Sequence, residues 1–251
     1  MVRVFVDADQ LHDGRLLLAG APARHLGGAL RMRPGEQLVA VTPDGIEHHC
    51  TVVAATPRAV EARVVGSAPS RREPRLRVRL CQALLKGDQL ERILEYGSEM
   101  GIVSFQPLLG ERSVPRLDTG KLGARMERLR LVARAGAELG QRGRLPEILP
   151  PATAPESAAG AVGDGMATYL LYEGAGLRSL SSVPLDRPGG VCLLVGPEGG
   201  WTEAEVEAVR QAGAEPVTLG PRIMRPLPAA LASLALVLHR AGDLELERRS
   251  E

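Results

Sequence analysis

Two stretches of this 251-residue chain carry residue types and spacings suited to holding a small ligand. The first is Leu193-Leu-Val-Gly-Pro-Glu-Gly-Gly-Trp-Thr-Glu-Ala-Glu205. An apolar run enters a glycine-rich turn, and Thr202 with Glu205 then forms the reciprocal cap of a new helix. In α/β sheets, ligands sit beyond the carboxyl ends of the strands. Gly196, Gly199 and Gly200 allow backbone to approach such a ligand closely. The second stretch is Val217-Thr-Leu-Gly-Pro-Arg-Ile-Met-Arg-Pro-Leu-Pro228, which leads into an apolar helix over residues 229–238. Its longer loop carries Arg222 and Arg225, and Pro226 and Pro228 stiffen it. Plain unliganded connections would read the same way, so the glycines alone do not decide. The chain contains neither GxGxxG nor GxxxxGK[ST], which excludes a dinucleotide fingerprint and a P-loop. Cys50, Cys81 and Cys192 are odd in number and lack CxxC spacing, so neither a disulfide framework nor a metal site is expected.

The elements that position these stretches change character along the chain. Residues 1–68 read as short strands with one helical insert over 23–33, closed by the turn pair Pro34-Gly35. Pro43-Asp-Gly45 marks a hairpin, and strands this close together suggest a small barrel. A polar, proline-bounded linker follows at residues 67–74. Strands then alternate with helices, the signature of a parallel sheet with crossover helices. Strands are expected at 76–84, 102–108, 168–172, 191–195 and 216–219. Helices are expected from Asp88, with Glu91 as its capping partner, to Met100, then at 120–140, 155–162, 202–213 and 229–240. Two domains result, 1–70 and 75–243, with a frayed mixed-charge tail from Asp243 to Glu251.

Composition narrows the function. The net charge of +1 is uninformative as a total, but the charges are unevenly placed. Residues 112–144 and 71–79 are both rich in arginine, and such clusters read either as phosphate-tracking surface or as a solvated helix face. Only Lys86 and Lys121 are lysine among the 31 basic residues, and only 2% of the chain is aromatic. That scarcity argues against a base-stacking platform. The opening residues lack the apolar core and cleavage site of a signal peptide, and no apolar run spans a bilayer, so a cytoplasmic, membrane-free protein is expected.

GPEGG after a strand, followed by LGPRIMR and an Ala/Leu-rich helix, resembles the SPOUT class of RNA methyltransferases. More narrowly, it resembles the ribosomal RNA small subunit methyltransferase E family, which methylates N3 of a uridine in 16S rRNA. Arg24-His-Leu and Leu30-Arg-Met-Arg-Pro-Gly35 resemble that family's N-terminal PUA-like β-barrel. Gln82-Ala-Leu-Leu-Lys-Gly87, Glu99-Met-Gly-Ile, Glu111-Arg-Ser113 and Leu170-Leu-Tyr-Glu173 resemble its catalytic domain. The implied fold is α/β: a mainly parallel SPOUT sheet with a deep C-terminal trefoil knot, preceded by the barrel.

The resemblance also implies a site. S-adenosylmethionine would be held by Leu171, Leu194, Gly196, Glu198, Gly199, Gly200, Leu219, Gly220, Ile223, Met224 and Pro226. Arg225 and Arg112 are the candidates for anchoring the target base, with the general base unassigned. RNA contacts are expected from Arg3, Arg24, His25, Arg31, Lys86, Arg112 and Arg142. The partners would be 16S rRNA in the 30S subunit and a second copy of the chain, with no metal. Two departures stand out. The family's Arg-Thr-Glu-Thr-Ala is Arg225-Pro-Leu-Pro-Ala229 here, and Leu139 replaces a glutamine. These keep two alternatives open: a catalytically weak or inactive RNA-binding relative, and a SPOUT methyltransferase with another RNA target.

Overall fold

A computed structural model of the chain describes residues 1–113 and 119–245. It divides into two compact units: Met1–Glu73 with Ala137–Leu145, and Pro74–Gly136 with the chain from Pro146 onward. Residues 137–145, expected in the second domain, group with the first. Ala137 packs with Phe5, Val39 and Val41, and Arg142 pairs with Glu73.

The first unit is a six-stranded sheet in the order β1-β4-β5-β6-β3-β2. Its strands are β1 (Val2–Phe5), β2 (Leu11–His12), β3 (Arg15–Ala19), β4 (Gln37–Val41), β5 (Ile46–Ala55) and β6 (Ala59–Pro69). Pairing is antiparallel except between β1 and β4. Strict alternation sets the core face: Leu16 and Leu18 of β3 point inward while Leu17 is exposed. They meet Val4, Leu26, Leu38 and Val52 in one apolar cluster. The expected hairpin at residues 43–45 forms, with Thr42 N–H donating to Ile46 O at 3.1 Å. The expected helix over 23–33 is shorter and irregular. It is a single turn, α1 (Gly20–Ala23), followed by a π-helical stretch at Arg24–Ala29. Two adjacent glycines, Gly27 and Gly28, favour such loosening.

The second unit is a parallel sheet in the order β10-β8-β7-β13-β11-β14-β12, with β9 beside β8. The strands are β7 (Val78–Ala83), β8 (Ser104–Leu109), β9 (Glu147–Ile148), β10 (Ala152–Thr153), β11 (Ala167–Leu171), β12 (Arg178–Ser179), β13 (Val191–Val195) and β14 (Glu215–Thr218). Both β11 and β13 are buried along their whole length, as central strands covered on two faces must be. Alternate residues feed two cores. Leu193 joins Leu80, Phe105 and Leu234, with α2 (Gln89–Met100), α3 (Leu122–Leu139) and α6 (Pro226–Arg240) on that face. Leu194 joins Cys81, Ala158 and Val209, with α4 (Ala154–Gly163) and α5 (Glu203–Gln211) on the other.

Two local expectations change, at Asp88 and Asp243, while the three cysteines are free and buried as expected. Asp88 sits at the N-cap of α2 but makes no side-chain cap, because Arg92 Nε engages its carboxylate at 3.0 Å. Cys81 and Cys192, distant in sequence, lie on neighbouring strands with their sulfurs 3.5 Å apart. Asp243 is a tie rather than the start of a frayed end: its carboxylate accepts from the backbone N–H groups of Arg75 and Leu76 at 2.8 and 2.9 Å. The rest of the expected tail, from residue 246, lies outside the described residues, as do Arg116 and Asp118 of the basic segment. No described helix is long and apolar enough to cross a membrane.

Candidate functional site

Parallel strands deliver their carboxyl ends to one edge of a sheet. At that edge the loops following β11, β13 and β14 enclose a pocket of about 420 Å³. This lies within the range of small-ligand sites, about 300–1,000 Å³. Its walls are mostly backbone and apolar side chains. Leu171, Val195, Leu219, Ile223, Met224 and Ala229 supply much of the apolar surface.

Trp201, the only tryptophan, organises the floor. It is buried, and its indole N–H donates to Leu171 O at 3.2 Å, joining the end of β11 to the loop after β13. Gly196 lies directly over the ring: a Cβ there would stand 3.0 Å from Trp201 Nε1. Gln82, at the end of β7, donates its amide to Val195 O and Gly196 O at 3.3 and 3.1 Å. The expected capping box starts α5 just beyond. Thr202 N–H donates to Glu205 Oε2 at 2.8 Å, and Glu205 N–H donates to Thr202 Oγ1 at 3.1 Å.

The structure sorts the residues expected to hold cofactor. Leu171, Gly196, Gly200, Leu219, Gly220, Ile223, Met224 and Pro226 all line the pocket. Leu194, Glu198 and Gly199 do not. Leu194 faces the α4/α5 core, because strand alternation turns it away from its neighbours Leu193 and Val195. Glu198 turns outward and accepts from the Lys86 backbone N–H at 3.2 Å. Gly199 is exposed and sits against Arg112, with a Cβ there 3.0 Å from Arg112 Cβ.

The catalytic candidates are redistributed in the same way. Arg112 reaches back to the loop, donating to Gly199 O at 3.1 Å and Trp201 O at 3.5 Å. Arg225 is exposed at the N-cap of α6 and does not line the pocket. Among the described residues, the arginine that does line it is Arg222, which is exposed and has no hydrogen-bond or ion-pair partner there. Glu173, in the loop after β11, lines it too, and Gly200 packs beneath it with φ +70°. Glu173 was missed as a site residue although the Leu170–Glu173 motif contains it. The available signal was its place two residues past the end of a buried central strand.

Among the RNA-contact candidates, Arg24, His25 and Arg31 are exposed around the π-helical stretch of the first unit, and Lys86 is exposed in the second. Arg3 and Arg142 are corrected. Arg3 is buried, ion-paired to Glu47 at 2.9 Å and hydrogen-bonded to Arg142 O at 2.9 Å. Arg142 is buried with two nitrogens on Glu73, at 2.8 and 2.7 Å. Burial favours a higher pKa for the Glu73 carboxyl. The Arg142 hydrogen bonds and charge, with the Gly143 amide, outweigh it and hold the carboxyl below its ordinary value. Both arginines therefore knit the first unit together and present nothing to phosphate. In the basic stretch of α3, Arg128 and Arg130 are exposed and form surface pairs with Glu91 and Glu127.

Comparison with known proteins defines the class. An RNA methyltransferase domain model matches residues 71–238, and an RNA methyltransferase PUA domain model matches residues 18–65. The chain is therefore an α/β RNA methyltransferase domain preceded by a PUA-like domain. It belongs to the ribosomal RNA small subunit methyltransferase E family. The Bacillus subtilis member is 30% identical over 89% of both chains. The Mycobacterium bovis member is 32% identical over 94% of this chain and 92% of its own. The crystal structure of the Neisseria gonorrhoeae ribosomal RNA small subunit methyltransferase E, bound to S-adenosyl methionine, is 26% identical. It superposes with a TM-score of 0.86 over 96% of this chain and 98% of that one.

Proposed function

We propose that the protein transfers a methyl group from S-adenosylmethionine to N3 of a uridine in 16S rRNA, within the 30S subunit. The observation that carries this reading is the pocket at the carboxyl ends of β11, β13 and β14, built by the two stretches that resemble the family. The pocket suits the cofactor chemically. It offers apolar side chains for an adenine ring and close backbone at Gly196 and Gly220 for its polar edges. A Cβ at Gly220 would meet nothing within 4 Å, so that turn leaves room for a ligand. When bound, the cofactor supplies an electrophilic methyl group on a sulfonium.

The chain's own residues do the rest. Trp201 and Gln82 fix the floor, so the pocket is formed before anything enters it. Arg222 brings a free guanidinium to the rim, where it stabilises charge developing on uracil oxygens or anchors a phosphate. Arg112 acts by holding the Gly199 and Trp201 carbonyls. RNA docks through Arg24, His25 and Arg31 of the PUA-like domain, with Lys86 contributing from the methyltransferase domain. The C-terminal segment threads as a trefoil knot, and two copies pair as a cytoplasmic dimer through α6, whose Leu231, Ala232, Ala235 and Leu236 are only half-buried.

The missing Thr-Glu-Thr segment does not argue for an inactive relative. Pro226 begins α6, and Leu227 packs against the Leu80/Leu234 core instead of filling the pocket. The test is incubation with labelled S-adenosylmethionine and 30S subunits lacking the modification, followed by mass spectrometry of digested 16S rRNA. One labelled N3-methyluridine is the expected product. Label on a ribose, on another base, or on no RNA overturns the reading.

A further inference from the structure

We infer that Glu173 is the catalytic residue that accepts the N3 proton of the target uracil. The inference rests on the reading above, because the N3–H of a uracil must lose its proton as the methyl is accepted. Imide nitrogen is a poor nucleophile until its proton leaves, so the site must supply a group able to take it. Among the described side chains lining the pocket, Glu173 is the only carboxylate. The other polar lining groups are unsuited. Arg222 is a guanidinium, with no lone pair to offer. The Trp201 N–H is spent on Leu171 O. The Thr218 hydroxyl is engaged twice by Gly220, donating to its carbonyl and accepting from its amide, both at 3.1 Å. Tyr172 presents a hydroxyl, whose oxygen is a far weaker proton acceptor than a carboxylate.

Glu173 by contrast has no hydrogen bond or ion pair among the described residues. Its oxygens are uncommitted, and it is exposed at the rim, where an RNA base arrives from solvent. Its position is not left to chance. A Cβ on Gly200 would stand 3.0 Å from Glu173 Oε1, so the absence of a side chain at that position leaves the carboxylate its place. In the step, the N3–H bond breaks and its proton passes to a Glu173 oxygen. The nitrogen pair forms the new N–CH3 bond, and the methyl–sulfur bond breaks with its pair left on sulfur. Charge and atoms balance with no further reactant.

The experiment compares the full-length protein with Glu173→Gln and Glu173→Asp. Single-turnover methylation of 30S subunits, S-adenosylmethionine affinity by calorimetry, and thermal unfolding are measured on each. Glu173→Gln should lower the methylation rate by about 100-fold or more, the usual contribution of a positioned base. Cofactor affinity and melting temperature should stay near those of the parent. The deficit should shrink as pH rises, because hydroxide then removes the imide proton unaided. Glu173→Asp should recover part of the rate. A Glu173→Gln rate within a few-fold of the parent overturns the inference alone, provided the parent makes N3-methyluridine. Cofactor affinity falling in step with rate would make Glu173 a cofactor ligand and overturn it equally. A parent that methylates another atom overturns both readings.

Discussion

The loops after β13 and β14 border one pocket, yet they are held in different ways. The first is tied from several elements. Gln82 of β7 grips Val195 and Gly196, Arg112 grips Gly199, the Lys86 amide holds Glu198, and Trp201 reaches to Leu171. The second has Thr218 and Gly220 bonded to each other and then Pro226 and Pro228. Between these points Pro221, Arg222, Ile223 and Arg225 are exposed, with Ile223 87% exposed, and Met224 alone packs back against the core. One wall is fixed by long-range hydrogen bonds, the other by covalent stiffness. A preorganised floor and a wall still able to gain contacts suit a site that closes on its ligand by burying apolar surface.

The contrast breaks most severely at the tied loop. Trp201→Ala removes a buried indole from beneath Gly196 and should destabilise the protein by about 3–5 kcal/mol, read by urea unfolding followed by circular dichroism. A loss of only about 1 kcal/mol, the worth of a single hydrogen bond, would show that the floor is not organised around the ring. Glu205→Gln comes next. Glu205 accepts from Thr202 through Oε2 and from the Glu111 N–H through Oε1 at 2.9 Å. The amide retains one acceptor and sets an NH2 against a backbone donor, a cost of about 1–3 kcal/mol. Glu207→Gln, on the solvent side of the same helix, is the control and should be near neutral.

How much of this was legible in sequence follows the range of each interaction. Thr202 and Glu205 are three residues apart, and their box was readable directly. The unbroken burial of β11 and β13 was readable from their apolar runs. Arg3 and Arg142 were misread because their partners Glu47 and Glu73 lie 44 and 69 residues away in sequence. A charge run does not reveal which member is buried against a distant acid. Leu194 was misassigned for a different reason: a strand two faces deep offers only alternate residues to either side, and the sequence of such a strand does not mark which. Glu173 and Arg222 become site residues only once the strand order β13-β11-β14 brings three loops to one edge.

The open loop should yield smaller effects, and of a different kind. Gly220 has φ +109° with nothing within 4 Å of a Cβ, whereas Gly196 faces Trp201 at 3.0 Å. Gly220→Ala should therefore cost about 1–2 kcal/mol through backbone strain alone, leaving Trp201 fluorescence unchanged. Gly196→Ala should shift that fluorescence by displacing the ring. Equal fluorescence shifts from the two would erase the distinction between the walls.

Ile223→Ser tests the open wall at its most exposed point. A surface substitution changes stability by no more than about 0.5 kcal/mol, so unfolding should barely move. If the loop gains its contacts only on closing over ligand, the lost apolar burial appears in binding instead. An isoleucine side chain is worth about 1.5–3 kcal/mol when buried, and half of that would weaken S-adenosylmethionine about 3- to 10-fold. Calorimetry at several temperatures sharpens the result, since burial of Ile223 on binding contributes a negative heat-capacity change that the serine variant should lack in part. An unchanged affinity and heat capacity would mean that Ile223 stays in solvent throughout, and that the loop after β14 is as fixed in the bound state as the loop after β13.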